Sequence, residues 1–251
     1  MQDKIALITG ATSGIGQATA YKLATMGVKL IACGRRPERL AALQKDLSKH
    51  TGITTLQFDV RDRQQVADAI GSLPAEWKNI DILVNNAGNA HGLSPVQDGD
   101  IDDWDAMIDG NVKGLLYVSR AVIPQMVQRR TGHIVNLSSV AGKYTYANGA
   151  VYCASKGAVE KLSEGMRLDL VQHGIKVTNI APGAVETEFS LVRFKGDADK
   201  AKKVYEGFDP LLPEDIADAI AYAVSAPERV QIADITIYAG AQSAPTTIYR
   251  T

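Results

Sequence analysis

Short runs of apolar and β-branched residues recur along the chain at Ile5–Thr9, Val28–Cys33, Ile53–Phe58, Ile80–Asn85, His133–Ser138, Ile175–Ile180 and Ile235–Tyr238. The stretches between them carry apolar residues at helical spacing. Ala18, Leu23 and Met26 mark the first, Leu40, Leu43 and Leu47 the second, and Val66, Ala69, Ile70 and Leu73 the third. Longer helices are predicted near 101–129, 151–173 and 213–226. Strands alternating with helices predict βαβ units and a mainly parallel sheet. Strands that are apolar almost throughout fit a sheet covered on both faces, with right-handed crossovers. No linker or composition shift divides the chain, so residues 1–251 read as one doubly wound α/β domain. The segment 184–212 breaks the rhythm, being too long for an ordinary strand–helix loop. It carries Arg193, Lys195, Asp197, Lys202 and Lys203, and reads equally as a lid over a site or as a solvated surface helix.

Composition narrows the function classes. Of 251 residues, 45% are hydrophobic and 22% charged, the balance of an ordinary globular protein. The 27 basic and 28 acidic residues leave a net charge of −1, which gives no general attraction to nucleic acid or an anionic membrane. No apolar run approaches the roughly 18–20 residues that cross a bilayer. The apolar stretch at the N-terminus is too short for a signal peptide. Cys33 and Cys153 lie far apart without metal-ligand spacing. Two reduced thiols, no metal site and a cytoplasmic location are therefore expected.

Immediately after the first predicted strand comes Thr9-Gly10-Ala11-Thr12-Ser13-Gly14-Ile15-Gly16, and a helix follows. Glycines permit a tight turn and let backbone N–H groups of Gly10, Thr12, Ser13, Gly14, Ile15 and Gly16 approach a pyrophosphate. The helix N-terminus adds partial positive charge and free donors. The second strand selects among dinucleotides. An NAD site wants an acid there for the ribose 2′-OH, whereas this chain reads Gly34-Arg35-Arg36. Two guanidiniums suit a 2′-phosphate, and Ser13 can add a hydroxyl, so NADP(H) is expected. The alternative, that both arginines are merely solvated, is weakened because cations are unfavourable at a helix start. Asp59, followed by Val60, ends the third predicted strand where an adenine amino group would lie.

Tyr152-Cys153-Ala154-Ser155-Lys156 heads an apolar-periodic helix. Residues four apart share a helix face. A cation about 4 Å from a phenol, at an effective dielectric near 20, is worth about 4 kcal/mol, enough to bring a tyrosine into acid–base range. Such a pair is common on surfaces, and gains weight from its company. Ser138-Ser139, Asn85-Asn86-Ala87-Gly88 and Pro182-Gly183 all fall at predicted strand ends, the edge where open α/β sheets bind ligands.

Together these residues resemble the short-chain dehydrogenase/reductase superfamily over essentially the whole chain. The matching pieces are Thr9-Gly10-x-x-x-Gly14-x-Gly16, Asn85-Asn86-Ala87-Gly88, Asn111, Ser139, Tyr152-x-x-x-Lys156 and Pro182-Gly183. The resemblance implies a Rossmann-type seven-stranded parallel sheet in the order 3-2-1-4-5-6-7. It implies Tyr152 as acid–base residue and Lys156 as the group that lowers its pKa and holds the nicotinamide ribose. It implies Ser139 as the residue that orients the substrate oxygen, and Asn111 as holder of a water in the proton relay at a helix irregularity. Asn86, Ala87, Gly88, Pro182, Gly183, Val185 and Thr187 join the cofactor set.

Within the superfamily the likeness is closer to NADP-dependent 3-hydroxy acid dehydrogenases, including serine (L-allo-threonine) dehydrogenases, and to sulfoacetaldehyde reductases. It is carried by Leu73-Pro74-Ala75-Glu76-Trp77, Thr187-Glu188-Phe189-Ser190 and Val192–Asp197. These substrates pair a small carbonyl or alcohol with an anion, so Arg193 is a candidate for the anion, or else closes the lid through protein contacts. Tyr146 and Asn148 are expected near the pocket, unless they serve only the Asn148-Gly149 turn. Arg129-Arg130 would dock an acidic carrier if the chain were a 3-oxoacyl-carrier-protein reductase, although cations are favoured at a helix end anyway. A protein that merely senses NADP(H) would not need Ser139, Tyr152 and Lys156 together. In the resembled family, apolar long helices pair into a homotetramer.

Overall fold

A computed structural model describes residues 1–251. Seven parallel strands form one sheet in the order β3-β2-β1-β4-β5-β6-β7, as the resemblance implied. They are β1 (Ile5–Thr9), β2 (Lys29–Gly34), β3 (Ile53–Gln57), β4 (Ile82–Asn85), β5 (Gly132–Leu137), β6 (Ile175–Pro182) and β7 (Asp234–Ile237). The helices are α1 (Gly14–Thr25), α2 (Pro37–Leu47), α3 (Arg63–Gly71), α4 (Ile101–Ile108), α5 (Gly114–Arg129), α6 (Val140–Lys143), α7 (Ala150–Leu170), α8 (Phe189–Arg193), α9 (Ala198–Lys203) and α10 (Pro213–Ser225).

The side-chain alternation of a strand sorts the apolar residues into two cores. On β1, Ala6 and Ile8 face one layer with Leu23 of α1, Leu43 of α2 and Ile220 of α10. Ile5 and Leu7 face the other with Val66 of α3, Val122 and Met126 of α5 and Leu170 of α7. Every residue of β1 and β4 is buried, which is why these strands read as unbroken apolar runs.

Three boundaries differ from the pattern-based expectation. The continuous helix predicted over 101–129 is interrupted by a π turn at Asp109–Lys113, between α4 and α5, and Asn111 sits in it. Hydrophobic spacing does not register one extra residue in a turn. Strand β6 runs to Pro182, because the apolar signal fades before the pairing of Pro182 with Ile237. The 184–212 segment is a short helical subdomain, α8 and α9, whose two ends are joined by a bridge between Val185 and Leu211.

Candidate active site

The carboxyl ends of β1, β2, β4, β5 and β6 open into a crevice of about 700 Å³. The 184–212 segment forms its far wall through Thr187, Glu188, Phe189 and Arg193.

The glycine turn forms the floor. Gly10 and Gly14 have φ of +65° and +50°, a region open to glycine at little cost. Asn86 Nδ2 donates to the Thr9 and Gly10 carbonyls at 2.9 and 3.3 Å, which fixes the turn against the end of β4. Thr9 Oγ1 accepts from the backbone N–H groups of Asn86 and Ala87, binding the two strand ends together. Ser13 is the N-cap of α1, yet its side chain makes no capping bond, and the first turn of α1 holds no acid. The helix start therefore presents unsatisfied N–H donors to the crevice, which fits a pyrophosphate.

The Ser13 hydroxyl is instead turned to Arg36, accepting from Nη2 at 2.9 Å, and Thr12 Oγ1 accepts from the same nitrogen at 3.0 Å. Arg36 Nη1 donates to Glu188 at 3.1 Å, and Arg39 Nη1 donates to both Glu188 oxygens at 2.8 and 2.9 Å. Burial favours the neutral form of Glu188, but Arg39 and Arg36 outweigh it and hold the carboxyl below its usual range. Arg35 lies 3.5 Å from Asp59 and is largely exposed. Asp59 follows β3 rather than ending it, and Arg61 engages both its oxygens. It lines the crevice, but its carboxylate is already partnered. Val60 lines the crevice too and packs against Gly114, where a Cβ would come within 2.8 Å of it.

At the opposite end, Tyr152 stands in the first turn of α7, with Lys156 one turn on, and both are buried. Burial pushes the Tyr152 phenol well above its ordinary range, while the Ser139 hydroxyl and the Arg193 guanidinium pull it down. Lys156 Nζ donates to the Leu137 carbonyl at 2.9 Å, and burial lowers its pKa to about 8. The helical spacing alone predicts that Lys156 lowers the phenol. In the structure the opposing groups are Ser139 and Arg193, and the ammonium is turned to β5. Ser139 follows β5 as the N-cap of α6, accepting from Ala141 N at 3.1 Å and donating to Pro182 O at 3.3 Å. Gly183 is anchored beside it, donating to Ile237 O.

The π turn brings Asn111 inward. Its Oδ1 accepts from Asn89 N at 2.7 Å, and its Nδ2 donates to Asn89 O at 2.8 Å and Ser155 Oγ at 2.9 Å. Ser155 in turn donates to the Tyr152 carbonyl at 2.7 Å. The Asn111 side chain thus ties the loop after β4 to the turn that carries Tyr152.

Arg193 reaches over the Tyr152 end of the crevice. Nη2 donates to Tyr146 Oη at 2.8 Å and Nε to Gly92 O at 3.3 Å. A guanidinium has five N–H donors, so three remain, including both on Nη1. Val185 is buried at the base of the segment, and Thr187 accepts from Phe189 N through Oγ1 while its methyl packs on Gly14. Arg129 is committed elsewhere: it donates to Asp81 at 2.9 Å and to the Ile80 carbonyl, and Arg130 donates to Gln172 O. These contacts lie within the chain, and the carrier-docking role gains no support from them.

Sequence reasoning missed Phe189, Glu188 and Arg39. Phe189 packs on Tyr152 with ring centroids 5.6 Å apart. Glu188 and Phe189 lie in the Thr187–Ser190 segment that carries the likeness, but no local pattern gives them or Arg39 a role, because their partners lie far away in sequence.

A family model described as short chain dehydrogenase matches residues 4–197. The chain is 47% identical over 240 residues to the NADP-dependent 3-hydroxy acid dehydrogenase YdfG of Salmonella typhi, covering 95% of this chain and 96% of that protein. It is 41% identical over 253 residues to the NADP-dependent 3-hydroxy acid dehydrogenase of Schizosaccharomyces pombe, covering 100% and 98%. A solved structure, the closed form of serine dehydrogenase complexed with NADP+, superposes with a TM-score of 0.92 at 45% identity, covering 98% of this chain and 100% of that one.

Proposed function

The chain belongs to the short-chain dehydrogenase/reductase family, and we propose that it is an NADP(H)-dependent oxidoreductase interconverting a small 3-hydroxy acid and its carbonyl form. The observation that carries this reading is the grouping of Tyr152, Ser139 and Arg193 at one end of a crevice whose other end holds Arg36. NADP(H), when bound, supplies or accepts the hydride. The α1 N-terminus takes the pyrophosphate, and Arg36 with Ser13 takes the 2′-phosphate.

In reduction, negative charge builds on the substrate oxygen. Tyr152 gives its proton to that oxygen while the Ser139 hydroxyl, turning its one proton from the Pro182 carbonyl, donates a second hydrogen bond. Interactions that strengthen as charge develops lower the barrier rather than merely tightening binding. In oxidation Tyr152 must first lose its proton, and the phenolate then takes the proton of the substrate hydroxyl. Ser139 and Arg193 favour that phenolate, and Lys156 reaches it only by turning from the Leu137 carbonyl. Asn111, fixed by Asn89 and Ser155, holds the water of the proton relay. The 184–212 segment is the lid, and the free donors of Arg193 receive the substrate carboxylate.

A sulfonate would satisfy the same donors, so sulfoacetaldehyde reduction is the second reading. We extend the proposal to a cytoplasmic homotetramer, a reading supported by Leu116, Leu168 and Val171, which stand exposed on or beside α5 and α7. No helix is long and apolar enough to cross a membrane. The test is an initial-rate survey of L-serine, L-allo-threonine, 3-hydroxyisobutyrate, 3-hydroxypropionate and isethionate with NADP+ and NAD+. Turnover of one of the carboxylates, faster with NADP+, is expected. Turnover confined to isethionate selects the second reading, and no turnover of any of the five rejects the substrate class.

A further inference from the structure

Arg36 and Arg39 converge on one carboxylate that comes from far along the chain. Glu188 belongs to the 184–212 segment, at the residue before α8, and reaches the start of α2 to meet them. Its Oε2 is held by both arginines and its Oε1 by Arg39. All three side chains remain about two-fifths exposed, so a solute can reach them. Arg36 is not free to drift when its carboxylate partner leaves, since Nη2 is pinned by the Thr12 and Ser13 hydroxyls at the head of α1. The result is a preorganised set of N–H donors around one oxyanion position, at the end of the crevice remote from Tyr152.

Guanidiniums bind phosphate through the same paired geometry they offer a carboxylate, and a dianion is held more strongly than a monoanion. Two anions cannot share the position without repulsion. Resting on the NADP(H) reading above, we propose that Glu188 is a placeholder for the 2′-phosphate and that Arg39 is a phosphate-binding residue: the phosphate displaces Glu188 from Arg36 and Arg39. Glu188 then sets the affinity for the phosphorylated cofactor, because its contacts must be broken before the phosphate makes its own. The non-phosphorylated cofactor has no group that needs this position, so its binding does not depend on the exchange.

The experiment titrates 2′,5′-ADP and 5′-AMP calorimetrically into the full chain, as wild type, Glu188→Gln and Arg39→Ala. Glutamine keeps the shape of an exposed side chain, so folding is not at stake, and equal melting temperatures check this. Glu188→Gln is expected to tighten 2′,5′-ADP by about five- to tenfold and leave 5′-AMP within about twofold, the effect of removing one competing charge. Arg39→Ala is expected to weaken 2′,5′-ADP about tenfold, with 5′-AMP unchanged. Unchanged or weaker 2′,5′-ADP binding in Glu188→Gln, or equal tightening of both nucleotides, overturns the placeholder. Unchanged 2′,5′-ADP binding in Arg39→Ala overturns that residue's part. A wild type that binds the two nucleotides equally overturns the NADP(H) reading itself, a result distinct from the others.

Discussion

Arg193 donates to the Tyr146 hydroxyl at 2.8 Å, and its guanidinium carbon lies 5.5 Å from the ring centroids of both Tyr146 and Tyr152. The contact closes the 184–212 segment over the Tyr152 end of the crevice while leaving donors unused. Clasping the wall and receiving an anion are therefore compatible tasks for one side chain. A charge-assisted hydrogen bond is worth about 1.5–3 kcal/mol. Arg193→Ala is expected to raise KM for a carboxylate substrate by roughly ten- to a hundredfold. A neutral aldehyde of similar size should change by less than about threefold, within the range of near-neutral contacts. Equal losses on both substrates would show that the clasp alone matters.

Lys156 makes stability depend on pH with a definite sign. Burial lowers its pKa from 10.5 to about 8. Between those values the unfolded chain holds a proton that the folded chain has released, so stability rises with pH across that window. Below it both states are protonated and the full cost stands, about 3 kcal/mol at 1.36 kcal/mol per pH unit. Lys156→Met keeps the apolar stem and loses the hydrogen bond to Leu137, so the ligand-free variant is expected to gain roughly 1–3 kcal/mol at pH 7. The gain should shrink toward pH 10.5. Urea midpoints at pH 7 and pH 10 check this, and a variant less stable than wild type at pH 7 contradicts it.

Arg129 separates a structural cation from a docking one. It closes the end of α5 onto Asp81 and the Ile80 carbonyl, and it is only a quarter exposed. Arg129→Ala is expected to cost about 1–3 kcal/mol of stability by urea denaturation, since it removes the only cation beside the half-buried Asp81 carboxylate and leaves it the Ile5 N–H alone. Steady-state constants on small hydroxy acids should not move. A specific loss of activity on acyl thioesters would revive the carrier-reductase reading.

The central strands β1, β2, β4, β5 and β6 were legible because their residues are buried on both faces, while the half-exposed edge strands β3 and β7 showed only through β-branched residues. The glycine turn was legible because Gly10, Gly14 and Gly16 stand at fixed offsets from a strand end and a helix start. The surroundings of Tyr152 were not. Phe189 and Arg193 reach it from a helix of five residues, too short to show a period. Glu188 meets Arg39 across 149 residues, and no local pattern encodes that pairing. The π turn at Asn111 was expected only by resemblance, because inserting a residue into one turn leaves the flanking apolar spacing intact. The spacing of Tyr152 and Lys156 gave the right helix face but not the contact, since the ammonium finds a carbonyl acceptor on β5 first.

The central claim is that the Tyr152 phenol moves the proton to and from the substrate oxygen. The most direct measurement is single-turnover NADPH oxidation on mixing with the aldehyde of the best substrate, wild type against Tyr152→Phe, with NADPH affinity measured in parallel. A proton donor contributes about 10²–10⁴-fold, so the rate constant should fall by that factor while NADPH affinity changes little. A variant that oxidises NADPH at the wild-type rate would contradict the account.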